Sequence, residues 1–128
     1  MEKILFIATG GALGTTFRYL IFGFVEKHMH GVFFWETFTV NVLGSLMAGF
    51  LWGTFETFSV SPNVRLFIFV GILGALTTFS TFSLETFYLM RDGQMKLALL
   101  NVLANNVACI AAVFIGFFIS KPFINIFN

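Results

Sequence analysis

The chain has 128 residues, 58% of them hydrophobic and only 10% charged, with a formal net charge of +1, whereas soluble domains carry about 25% charged residues. With a mean hydropathy of +0.93, a chain of this size cannot cover its apolar surface with its own polar groups, and a bilayer removes the need to. There is no basic patch to bind nucleic acid, and the lone cysteine, Cys109, excludes an internal disulfide and a cysteine-based zinc site.

Four apolar stretches follow in chain order, at residues 4–25, 37–58, 66–90 and 97–119. Each approaches or exceeds the ~20 residues that cross the hydrocarbon core. The first begins like a signal peptide, but its apolar run continues past a signal's length. Arg18 also stands where a cleavage region would fall, so the stretch reads as a spanning helix. Its Gly10 and Gly14, like Gly49 and Gly53 of the second stretch, have the spacing that lets membrane helices approach closely. The connections at 26–36, 59–65 and 91–96 hold most of the charges and breakers, and Pro122 is placed after the last span. His28 and His30 lie in the first connection without a third ligand and read as solvated. The predicted architecture is an all-α integral membrane protein, residues 1–128 forming one domain of four transmembrane helices.

Four spans put both ends of the unit on one side of the membrane. That side carries Lys3, Arg65 and Lys121, and the other carries Lys27, Arg91 and Lys96, so the count gives no clear orientation. Adding Arg18 changes this little. Such balance is ordinary in a small protein, and it is also what a chain inserting in both orientations would show.

The third stretch departs most from its surroundings. Residues 71–85 hold Gly71 and Gly74, five hydroxyls (Thr77, Thr78, Ser80, Thr81, Ser83), then Phe79, Phe82 and Glu85. Lipid offers such groups no water, so they should face protein or a pathway. Hydroxyls compete for backbone bonds, which predicts a break near residues 74–78. A break frees carbonyls at depth, and a buried monovalent cation is one way to satisfy them.

Thr37, Asn41 and Ser45 recur every four residues on one face of the second helix, as do Asn101, Asn105 and Cys109 on the fourth. One such asparagine reads as interhelical glue, worth ~0.6 kcal/mol per contact. Two stripes and a hydroxyl cluster together read as the lining of a narrow path. Amides and hydroxyls donate to anions, and aromatic rings present a positive edge. Any one of the 20 phenylalanines taken alone reads as lipid-facing, but beside their hydroxyl neighbours Phe79 and Phe82 would solvate a small, hard anion weakly enough to release it.

These residues resemble the Fluc (CrcB) family of small fluoride channels. Residues 71–85 resemble its third-helix signature G-x-x-G-x-x-T-T-F-S-T-F-S-x-E, and residues 10–14 with Phe17-Arg18-Tyr19 resemble its first-helix motif. Thr37, Asn41 and Gly44 resemble its second-helix pattern, with Glu36 in place of the leading glycine, while Asn101-Val102-Leu103 and Gly116 resemble the fourth helix. The resemblance implies an antiparallel, dual-topology homodimer in the cell (inner or plasma) membrane, with two pores that export fluoride passively. It further implies that Asn41 donates to fluoride, that Phe79 and Phe82 are ring-edge stations, and that Thr37, Ser80 and Thr81 shape a vestibule. Asn105 and Cys109 would lie along a polar track and Arg18 near the pore mouth. Gly74 and Thr77 would offer backbone carbonyls to a central sodium ion (Na+).

Two other readings stand beside it. A four-helix, proton-coupled cation or drug exporter would rest on Glu85, yet the first stretch lacks the carboxylate such a site needs. A noncatalytic membrane subunit would use every polar residue for packing. No nucleophile–base set, metal cluster or phosphate loop is readable, so no enzyme is expected.

Overall fold

Lipid leaves a spanning segment no partner for its backbone except itself, so apolar stretches of this length become helices. In the computed structural model, which describes the backbone of residues 1–127 and side chains through Ile124, they do. Asn128, the last residue of the expected 1–128 unit, lies outside the described residues. The elements are α1 (Glu2–His28), α2 (Trp35–Thr57), α3 (Pro62–Arg65), a π-helical segment (Leu66–Leu73), α4 (Gly74–Leu76), α5 (Phe79–Arg91) and α6 (Met95–Phe127). Among the described residues there is no strand. Four stretches, Glu2–His28, Trp35–Thr57, Pro62–Arg91 and Met95–Ile124, are long and apolar enough to cross a membrane. The chain is a multi-pass membrane protein.

Local chemistry sets the ends. Glu2 opens α1, and Lys27 and His28 close it, each complementing the helix dipole. Ser61 accepts from the Val64 amide at 3.4 Å, with Pro62 in the first turn, where a missing N–H costs nothing. Gly93, at φ +75°, ends α5. The Gln94 amide returns to Leu89 O at 2.8 Å and the Gly93 amide to Met90 O at 3.1 Å, a Schellman closure that turns the chain into α6. The last span differs from expectation. α6 runs through Pro122 rather than stopping before it. Proline removes one donor, a loss membrane helices tolerate when neighbouring groups compensate.

Small residues bring the helices together. A Cβ at Gly49 would strike the Val113 carbonyl, and one at Gly116 would strike the Leu46 carbonyl, so α2 and α6 meet backbone to backbone. α1 meets the π-helical segment in the same way, where a Cβ on Gly71 would lie 2.8 Å from Gly10 Cα. A π-turn widens the helix by one residue per hydrogen-bonded ring, and here it carries the chain into the region of the hydroxyl cluster. Val40, Leu73 and Leu76 form the buried apolar cluster beneath it. Between α4 and α5 two residues are extended: Thr77 at φ −81°, ψ 157° and Thr78 at φ −148°, ψ 108°.

Candidate functional site

An extended dipeptide inside a spanning segment leaves peptide groups without helical partners, and side chains must replace them. Asn41, on α2, serves Thr78 on both sides. Its Oδ1 accepts from the Thr78 amide at 2.8 Å, and its Nδ2 donates to Thr78 O at 3.3 Å. A primary amide carries the same donor and acceptor as a peptide bond, so one asparagine replaces the helical acceptor that the Thr78 amide lacks and adds a second donor to Thr78 O. Thr78 in turn starts α5: its hydroxyl accepts from the Thr81 amide at 3.2 Å and donates to Thr81 Oγ1 at 2.9 Å.

Beside this junction lies a groove of about 250 Å³. Asn41, Thr77, Phe79, Phe82, Asn105 and Cys109 all line it, joined by Ser45, Thr78, Asn106 and Ile110. None of these carries a formal charge. Phe79 and Phe82 stand with ring centroids 5.3 Å apart and planes inclined at 52°. Phe82 is buried, whereas Phe79 is 76% exposed.

The hydrogen bonds decide what the groove offers. Both hydrogens of Asn41 Nδ2 are engaged, on Thr78 O and on Asn105 Oδ1, each at 3.3 Å. Those lengths lie at the weak end of the range, so an anion in the groove competes for them. The Asn105 amide nitrogen faces away, donating to Asn101 O at 3.1 Å and to Asn101 Oδ1 at 3.0 Å. Asn105 therefore turns an acceptor toward Asn41.

The other expected residues sit around the groove rather than in it. Thr37 is fully buried and donates to Glu85 Oε1 at 2.5 Å. Glu85 Oε2 has no hydrogen-bond partner among the described residues. Ser80 is exposed, with its Oγ 3.3 Å from Thr78 Oγ1. Thr81 and Arg18 line a second hollow of about 320 Å³ with Thr15, Tyr19 and Phe22.

Backbone carbonyls are the groups here that could hold a cation. No three His, Cys, Asp or Glu side chains converge among the described residues. A continuous helix would direct the Thr78 amide at Gly74 O, but Asn41 takes that amide. Gly74 is exposed, and Thr77 O meets only a long contact from Arg18 Nη1 at 3.5 Å.

Two contributors were not foreseen. Thr78 was one hydroxyl among five, with no signal that its backbone would be clamped. Thr86 accepts from Asn101 Nδ2 at 3.0 Å, tying α5 to α6. Its position one turn beyond Phe82 was the available signal.

The chain is 41% identical over 124 residues to a protein of Parabacteroides distasonis named fluoride-specific ion channel FluC, covering 97% of both chains. Proteins with that name from Shewanella halifaxensis (42%, covering 91% of this chain and 94% of the other) and Citrifermentans bemidjiense (39%, covering 94% and 98%) are similarly close. Residues 5–117 match the family described as CrcB-like protein, Camphor Resistance (CrcB), and with relatives this similar over nearly its whole length the chain belongs to that family.

Proposed function

We propose that this chain is a fluoride-selective channel that lets fluoride leave the cytoplasm passively. The observation that carries the reading is the uncharged groove in which Asn41 meets the tilted Phe79–Phe82 pair at an interrupted helix. Weak hydrogen fluoride crosses lipid as the neutral acid and ionises in a less acidic cytoplasm, where the anion is trapped. A pathway for that anion lets the membrane potential expel it without fuel. A basic pore would hold the ion too tightly, whereas amide hydrogens and ring edges bind weakly enough to release it. The residues offered to fluoride are Asn41, Phe79 and Phe82, with Cys109 and Asn105 along the groove. Arg18 and Thr81 stand in the neighbouring hollow with Ser80 close by, and Thr37 lies behind the path, holding Glu85.

Two copies in opposite orientation complete the path. Phe79 stands 76% exposed at the groove's open side, which calls for a covering surface. Gly74 and Thr77 of both copies would hold a sodium ion between them through their carbonyls, where it would neutralise the dipoles that the break leaves at depth. The unit acts as one four-helix body in the cell membrane.

Purified protein in liposomes tests this with a fluoride electrode. Efflux is expected from wild type and near-abolition in Phe79→Ile and in Asn41→Asp. The aspartate would set a carboxylate against Thr78 O and Asn105 Oδ1, where two donations are needed. Unchanged flux in both variants would overturn the pathway. Flux that instead required a proton gradient and vanished in Glu85→Gln would favour an exporter.

A further inference from the structure

The side-chain amides around the groove form a chain of hydrogen bonds with one direction. Thr86 Oγ1 donates to Phe82 O at 2.9 Å, since a carbonyl can only accept, and so leaves lone pairs for Asn101 Nδ2 at 3.0 Å. Asn101 must then present Oδ1 to Asn105 Nδ2, at 3.0 Å, and Asn105 presents Oδ1 to Asn41 Nδ2, at 3.3 Å. Asn41 is left with Oδ1 for the Thr78 amide, a group that can only donate, at 2.8 Å. Both ends are backbone groups of fixed role, and the roles assigned from either end agree. Flipping any one asparagine would set donor against donor and acceptor against acceptor at two places.

From this we infer that Asn101 and Thr86 are positioning residues for the groove: they hold Asn105 and, through it, Asn41 in the one orientation that clamps Thr78. Neither lines the groove, and Asn101 is fully buried. The relay starts at the amide of Thr78, in the interruption, and returns to the carbonyl of Phe82, so it ties the break to the turn carrying the inner ring. Its effect on conduction rests on the fluoride reading above, whereas its geometry does not.

Thr86→Val keeps the shape and removes both the acceptor for Asn101 and the donor to Phe82 O, and Thr86→Ser keeps both. In liposomes, T86V is expected to lower fluoride efflux about five- to tenfold, the effect of losing the Asn101–Thr86 hydrogen bond, since Phe82 O keeps its helical N–H donor, and T86S is expected to conduct like wild type. Side-chain amide 15N NMR in lipid supplies a readout independent of transport. The Asn41 and Asn105 signals are expected to shift in T86V and to stay in place in T86S. Wild-type efflux with no change in T86V by either measure would overturn the relay. Asn41 signals shifted in T86V, beside a wild type that itself passes no fluoride, would sustain the relay and remove the fluoride reading. T86A, a smaller side chain lacking the same acceptor, is measured alongside. If T86V and T86A both failed to assemble while T86S assembled, Thr86 would be a folding residue and the positioning role would fall.

Discussion

Glu85 is the one carboxylate buried within the spans, and its stability hangs on a single donor. Thr37 reaches across from α2 to Oε1, and Oε2 has no partner among the described residues. A buried polar group stripped of its last partner costs about 1–3 kcal/mol, more when charged. Thr37→Val is therefore expected to lower stability by roughly that amount, read as a fall in the thermal midpoint of the purified protein in lipid, while Thr37→Ser holds it. A midpoint unchanged in Thr37→Val would mean that Glu85 finds another donor. The spacing of Thr37, Asn41 and Ser45 made them one face of a helix, and Asn41 and Ser45 do share the groove. It could not show that Thr37 turns to a partner 48 positions away. A helical period reports which residues share a face, not what stands opposite it.

Elements were legible where composition alone decides. Hydropathy located all four spans, because each must satisfy its backbone within lipid. It did not reveal the π-helical segment, whose sequence, Leu66–Leu73, is as apolar as any α-helical span. The segment packs its backbone closely on Gly10 and Gly14 of α1, contacts that no local propensity encodes. Glycine spacing foresaw close approach but not the pairing of α2 with α6. That pairing has a measurable consequence. In Gly49→Ala the new methyl would meet the Val113 carbonyl, a backbone atom that cannot rotate away, so the two helices must separate. Overpacking of this kind costs about 1–3 kcal/mol. Gly23→Ala is the control, because nothing lies within 4 Å of a Cβ there. It is expected to gain about 0.5–1 kcal/mol from helix propensity. Denaturant titration of both variants in mixed micelles checks the contrast, and equal stability would show that α2 and α6 are not held at glycine distance.

At the scale of the whole molecule, the charge count left orientation open, with three cations against three, and packing within one copy adds no sign to it. Span number is what turns the antiparallel arrangement into a test. Four spans return the chain to the side on which it started, so two copies joined directly must insert in parallel. Joining them through one additional spanning helix reverses the second copy. If the groove needs an oppositely oriented partner to cover Phe79, only the second fusion holds a complete path within one polypeptide. Reconstituted at no more than about one fusion per liposome, where no other molecule can supply the missing half, the helix-linked fusion is expected to release fluoride. The direct fusion is expected to retain it. At high protein density the direct fusion should recover, because fusions inserted in opposite senses can then meet. Equal release by both fusions at low density would exclude the antiparallel pair. It would leave the covering of Phe79 to a parallel neighbour or to lipid, and with it would go the proposed carbonyl site shared by Gly74 and Thr77 of two antiparallel copies.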